Sequence, residues 1–497
     1  MGTYSPALGE IDEDSRWTAG QLNGDGTIII PTGITLTLGG KVSISGNITI
    51  LGGGTIQREK EGYLYVEEGK SLTMQEIKLD GCAVSSSQPL IFGMMSSRVS
   101  LKGCDFKDCV TEAKNGAAAL WMEYGTLELN QCSFTDCKSG VGKHGAMYVC
   151  YGTSKFTECT FIGCEAGVDG GAMYIYRGSA EFKECAFNDC SGEDGGAVFF
   201  SNGTASLENC AFAGCSAEVE GGAVKAEYST VTLNNGTIEN CSAKRAGGGI
   251  YALQCKKLTI QGGVFESNRT TGETGTGKGG GCIINNGSKL FLNSVTFLNN
   301  TSNNRGGCLY NGGNPGTETY INGGTFTGNT CTNTAENLGL EGSGAIFCSS
   351  NITNPDTVLQ LCGTEIFTGG AEGTDGIYLD YVHDLPRFLR INSALQYSIS
   401  IYLNADSASR YVVAKGTAIY SLTETDAEKI IVKDLGHSGK TWHILKDTKN
   451  NQIILSEFDR YPDLCSAPTS FPPHCFHPNR RKPLAFSQIW HREWYLG

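Results

Sequence analysis

A chain of 497 residues could hold several ordinary domains, but its 68 glycines argue against long helices, where each Gly costs up to about 1 kcal/mol relative to Ala. Only 12 prolines are present, which excludes a collagen-like or proline-rich chain. A net charge of −13 with no basic face excludes a general nucleic-acid binder, and no run reaches the ~18 apolar residues of a membrane-spanning helix.

The start, MGTYSPALGEIDEDSR, lacks the basic and apolar regions of a signal peptide, as expected of a fragment whose leader was lost. Residues 1–23 read as an N-terminal segment. From Gly24, TIIIPTGITLTLGG and KVSISGNITILGGGTIQ read as short strands and turns. An apolar residue then recurs at Leu79, Phe106, Phe134, Phe161, Phe187, Phe212, Ile238, Phe265, Phe297, Phe326 and Phe367. Three residues after each stand Cys82, Cys109, Cys137, Cys164, Cys190, Cys215, Cys241, Asn268, Asn300, Asn329 and Gly370. The spacing runs from 25 residues (Cys190 to Cys215) to 41 (Asn329 to Gly370). A period of this size means stacked units, each too small to bury its own apolar face.

The unit is clearest between 132 and 226. CSFTDC, CTFIGC, CAFNDC and CAFAGC are each followed by a polar turn, then HGAMYV, GGAMYIY, GGAVFF or GGAVKA, then an alternating run such as SAEFKE. Three short strands per unit with turns between them predict one coil of a parallel β-helix. The predicted fold class is all-β: a right-handed parallel β-helix over 24–380 with a β-rich C-terminal cap over 381–458. In each coil the first Cys and the Phe point inward together, and the closing Cys or Asn turns inward at the bend. An Asn there can hydrogen-bond turn backbone groups; Cys fills the same volume with weaker hydrogen bonds. The cysteines are expected to form a reduced ladder rather than a zinc site or disulfides, because stacked parallel strands hold the Cβ atoms apart. In the cap, TETDAEKI carries a capping-box pattern from Thr425 to Glu428 and predicts one short helix. Residues 459–497 have no repeat and read as a disordered tail, or as sequence foreign to the native frame.

GGAMY, GGAVF and GGAVK, with FESN, FLNN and FTGN, resemble the alternating GGA-[ILV] and FxxN motifs of the chlamydial polymorphic outer membrane proteins. The resemblance covers roughly 70–380. It implies a right-handed β-helix of the pectin lyase-like superfamily, displayed at the cell surface and used in adhesion. Here six successive units carry Cys where the family motif has Asn. No segment after the coils is long enough for an outer-membrane barrel.

Glycoside hydrolysis needs paired carboxylates, and a β-helix hydrolase would be expected, by resemblance, to show clustered aspartates and a Gly-His-Gly element. Neither an Asp-Asp pair nor GHG occurs; His144 lies in KHGA and His437 in GHSG. No catalytic or cofactor-binding residue is assigned. The turn before the glycine pair sets Asp169, Asp194 and Glu220 in one column, the candidate site for a hard cation such as Ca²⁺. Lys114 and Lys143 precede them in that column and Arg305 follows, and the mixed charge favours a solvated turn. Cys465, His474, Cys475 and His477 form a second metal candidate, set against the reading of that tail as disordered. Sequons at Asn47, Asn202, Asn235, Asn240, Asn268, Asn286, Asn299, Asn300 and Asn351 are a weak signal in an Asn- and Thr-rich repeat, and Asn268 and Asn300 are expected inside the coil. Trp121, Tyr148, Tyr174 and Tyr176 lie near GGA strands, where they serve equally as core or groove residues. The expected function is a non-catalytic, adhesin-like scaffold, extracellular or at the cell surface, binding glycans or surface proteins through a repetitive face. The alternative is a carbohydrate-active β-helix enzyme or glycan-binding module.

Overall fold

Short strands of three to five residues bend into coils because each alternating run is cut by a turn residue, and parallel neighbours then hydrogen-bond coil to coil. A computed structural model of the chain describes residues 2–140, 143–272, 279–332, 344–349, 357–368, 376–379, 388–403, 410–434 and 443–456. A typical coil holds Met173–Tyr176, Ser179–Lys183, Ala186–Asn188 and Ser191–Asp194. Each strand pairs in parallel with its counterparts one coil up and one coil down.

The phenylalanine column is the axis of the core. Phe106, Phe134, Phe161, Phe187 and Phe212 pair rung to rung, with successive ring centroids 4.5, 4.9, 4.9 and 4.7 Å apart. The same register runs from Leu79 to Phe106 and onward through Ile238, Phe265, Phe297, Phe326 and Phe367. Such offset stacking adds roughly 0.5–1.5 kcal/mol per pair beyond burial.

Beside it runs the column of bend residues. Asn268, Asn300 and Asn329 are fully buried. Each donates its Nδ2 to the carbonyl of the apolar rung one coil back: Ile238, Phe265 and Phe297, at 2.7, 2.9 and 3.0 Å. Each also accepts, on Oδ1, the backbone N–H of the bend residue one coil back. The thiols of Cys164, Cys190 and Cys215 reach the equivalent carbonyls of Phe134, Phe161 and Phe187 at 3.5, 3.7 and 3.4 Å. Burial pushes the Cys137, Cys241 and Cys282 thiols well above the ordinary cysteine value, so they stay protonated.

Cys82 departs from this column: it is exposed and holds a left-handed φ of 54°. Leu79 still pairs with Phe106, but Ser85, not Ala83, pairs with Val110. The bend is two residues longer there and swings the thiol outward.

The ladders extend beyond the limits read from the sequence. Gly2–Tyr4 pairs in parallel with Ser15–Trp17, and Gly20–Leu22 with Lys41–Ile44. Trp17 and Leu22 already face the core, in strands too short to show alternation. At the other end, Leu389–Ile391, Ile399–Leu403 and Ile430–Asp434 continue the parallel ladders. Only Gln452–Ser456 pairs antiparallel, with Arg410–Gly416 and His443–Asp447. This local reversal covers the strand edge of the last coil. The helix Glu424–Lys429 is capped by Thr423 with Asp426, not by Thr425 with Glu428. Asp426 prevails because its carboxylate also accepts from Leu395 N and Tyr420 OH. No described helix is long and apolar enough to cross a membrane. Gly370, Asn351, His437 and the tail from 459 lie outside the described residues.

Candidate functional site

The GGA segments build one outer face of the helix. Gly170, Gly195 and Gly221 hold φ of +62°, +61° and +71°, a region that favours glycine. At Gly171, Gly196 and Gly222 a Cβ would lie 2.1, 2.1 and 2.0 Å from a carbonyl oxygen of the next coil. The pair therefore lets the turn fold tightly back over the following strand. In that strand Met173, Val198 and Val224 point into the core. The residue after each points outward, giving the column Phe92, Trp121, Tyr148, Tyr174, Phe199, Lys225 and Tyr251. Trp121, Tyr148 and Tyr174 thus stand together, and Tyr176 packs against the same cluster two residues along.

Asp169, Asp194 and Glu220 do form one row over this column. The residue preceding Asp169 in the row is His144, not Lys143, because KHGA carries one glycine where the later turns carry two. Arg305 occupies the row further on, accepting from Gly280 N as Asp194 accepts from Gly170 N.

The position a cation would take among these acids is filled by Lys225. Its Nζ lies 2.7 Å from Asp194 Oδ2, 3.2 Å from Glu220 Oε2 and 3.2 Å from Glu227 Oε1, and the residue is only 6% exposed. Arg245 reaches Glu220 at 3.6 Å, and Lys143 reaches Asp169 at 3.8 Å. Burial pulls the Lys225 pKa down, but the hydrogen bond to Asp194 and the fields of Asp194, Glu220 and Glu227 outweigh it, leaving it above the ordinary lysine value. A lysine held charged in this way is neither a base nor a nucleophile. The cluster ties neighbouring coils together. Asp169, at the edge of it, is pushed up to about 6 by burial. Among the described residues no group of three or more His, Cys, Asp or Glu is arranged to hold a metal ion.

His144 stacks on Tyr148 with centroids 4.1 Å apart and on Tyr174 at 4.7 Å. Burial drops its pKa to about 3. A base whose folded pKa is depressed stabilises the fold above its unfolded value of about 6.5 and loses that contribution as pH falls toward 3. His144→Phe keeps the stacking and removes the proton. We expect the wild type to lose about 2–3 kcal/mol more than this variant between pH 6.5 and pH 3, allowing for solvent relaxation. Urea unfolding at stepped pH measures the difference, and parallel pH profiles would refute it.

A second surface lies at the turn that follows the GGA strand, and the residue reading missed it. Every coil bends through left-handed residues. Two of the bend columns fill that position with small or polar types, such as Glu158, Glu184 and Asn209, or Asp136, Asp189 and Asn240. The third holds Tyr124, Tyr151, Arg177, Asn202, Tyr228 and Gln254, at φ between 45° and 59°. Tyr124 and Tyr151 stack with centroids 4.6 Å apart and planes 1° from parallel, and both are exposed, as is Tyr228. The Arg177 guanidinium lies 5.7 Å from the Tyr151 ring and 5.2 Å from the Tyr176 ring, and its Nη1 donates to Tyr151 OH at 3.0 Å.

Glycines 152, 178 and 203 follow these residues. A Cβ at each would crowd the glycine carbonyl one coil back, at 2.6, 2.9 and 2.5 Å. A row of hydroxyls comes next, Thr126, Thr153, Ser179, Thr204 and Thr230, in register. Between rings and hydroxyls lies an open cavity of about 380 Å³, bounded by Arg177, Asn202, Tyr228 and Lys256. The signal was present as YGT, YGT, RGS, NGT and YST, repeating with the coil.

Residues 29–212 and 140–326 match the family model described as the right handed beta helix region. No curated protein matches the chain. Two solved structures of tailspike protein mutants from E. coli bacteriophage HK620, one of them in complex with a hexasaccharide, are similar to it at 14% identity. Each comparison covers 82% of this chain and 73% of the other, with TM-scores of 0.32 and 0.35.

Proposed function

The chain belongs to the right-handed β-helix family, with the fold of the pectin lyase-like superfamily, and on that scaffold we propose a non-catalytic, adhesin-like protein, secreted or held at the cell surface, that binds glycans through the tyrosine-lined turn. One observation carries the reading. Tyrosines occupy left-handed positions in this bend column, while the other two bend columns use glycine and polar residues. A left-handed φ costs an L-residue about 1–2 kcal/mol. A bulky aromatic held there and left exposed gains little from packing, which favours a role toward a ligand. Flat rings bury apolar area and keep a polar tip, as the apolar face and hydroxyl edge of a sugar require. The resemblance of the GGA and FxxN motifs to chlamydial polymorphic outer membrane proteins supports display.

A glycan array on the purified chain, with reducing-sugar and unsaturated-product assays beside it, tests the reading. The expected outcome is binding without turnover. Tyr151→Ala should weaken that binding at least tenfold while leaving the unfolding midpoint unchanged or raised. Turnover would move the assignment to the alternative, a carbohydrate-active enzyme.

A further inference from the structure

Taking the glycan-binding reading as its premise, we propose that the cavity beside Arg177 selects a negatively charged sugar, with Arg177 and Lys256 meeting its carboxylate or sulfate. The chain carries a net charge of −13, yet the cavity is bounded by two cations and by no Asp or Glu. Cations nearby on the coils are consumed by carboxylates: Lys143 by Asp169, Lys183 by Glu184, Lys225 by three acids, Lys244 by Glu218 and Arg245 by Glu220. Arg177 and Lys256 have no carboxylate partner among the described residues.

Arg177 is nevertheless positioned. Two tyrosine rings and one hydroxyl fix its guanidinium, and the remaining N–H groups of the fork stay available for a second ligand. A guanidinium held by rings rather than by an acid keeps its full charge, and its planar fork matches a carboxylate or sulfate edge. Asn202 and the hydroxyls of Ser179, Thr204 and Thr230 line the same cavity. They offer the uncharged donors and acceptors that sugar hydroxyls need. The site therefore has a charged subsite at one side and a neutral, hydroxyl-matched floor beside it.

Binding of the full chain to five hexasaccharides tests this: hyaluronan (carboxylated), heparin (sulfated), and the uncharged malto-, cello- and xylo-hexasaccharides. Titration calorimetry in 50 mM and 500 mM NaCl should show at least one charged probe binding tenfold or more tighter than any neutral one, with the preference collapsing at high salt. The two charged arms identify which anion is read. Arg177→Gln and Lys256→Gln should each reduce the preference about fivefold and leave neutral binding unchanged. Glutamine suits the backbone there, since Gln254 holds the equivalent left-handed position. Neutral probes binding as tightly as charged ones would overturn the charge selection and leave the glycan-binding reading standing. A preference that survives in the double variant would overturn the assignment to Arg177 and Lys256. If no hexasaccharide binds, both readings fall.

Discussion

Lys225→Met is expected to destabilise the protein by about 3–5 kcal/mol at pH 7, the cost of breaking a buried ion cluster from one side. Asp194, Glu220 and Glu227 all converge on this ammonium within 3.2 Å, and Asp194 and Glu220 come from the turns of two successive coils. Methionine fills much of the same volume beside Phe199 and Tyr251, the neighbours of Lys225 in its column. The loss would therefore report charge rather than shape. Two of the three acids would be left without their nearest cation; Glu220 would keep only Arg245, at 3.6 Å. Adding Asp194→Asn and Glu220→Gln to Lys225→Met should restore most of the stability, because a matched polar or apolar replacement of an ion cluster is often close to neutral. Guanidinium unfolding of the three variants decides the matter. A loss under 1 kcal/mol for Lys225→Met would mean that the acids are solvated and the cluster contributes nothing.

This cluster also marks where sequence reading ran out. Asp169, Asp194 and Glu220 could be aligned because each precedes a glycine pair, and glycine pairs are visible. Their counter-ion could not. Lys225 sits in GGAVKA at a position that holds Tyr174 or Phe199 in the preceding coils, and nothing in the local pattern says that its side chain folds back under the acids. Charge was assigned instead to Lys114 and Lys143, which precede the row. The phenylalanine column was legible from Leu79 to Phe367 because stacking demands the same residue type at the same phase of every coil. Trp17 and Leu22 were not, since two or three residues cannot display a period. Tyr124, Tyr151 and Tyr228 escaped for a different reason. A left-handed turn is announced by Gly or Asn, and a tyrosine forced into that conformation carries no such mark.

Asn300→Ala should cost about 3–5 kcal/mol, and Asn300→Cys about half as much. The Asn300 side chain serves four partners with no access to water: Nδ2 donates to Phe265 O and to Asn329 Oδ1, and Oδ1 accepts from both the backbone N and the Nδ2 of Asn268. Alanine leaves buried donors and an acceptor bare, at about 1–3 kcal/mol for each unsatisfied group. The cysteine rungs show how much a thiol recovers. Cys215 donates toward Phe187 O at 3.4 Å and accepts the backbone N–H of Cys190, which is the same pair of roles with weaker partners. A solenoid transmits damage mainly to its neighbours, so the effect should be local: faster amide exchange at Phe265, Asn268 and Phe297, with little change near Phe161. Hydrogen exchange resolved by residue measures this directly. Equal losses for the alanine and cysteine variants would show that the bend column works by filling space alone. In that case six successive cysteines where the related motif carries asparagine would need an explanation other than hydrogen bonding.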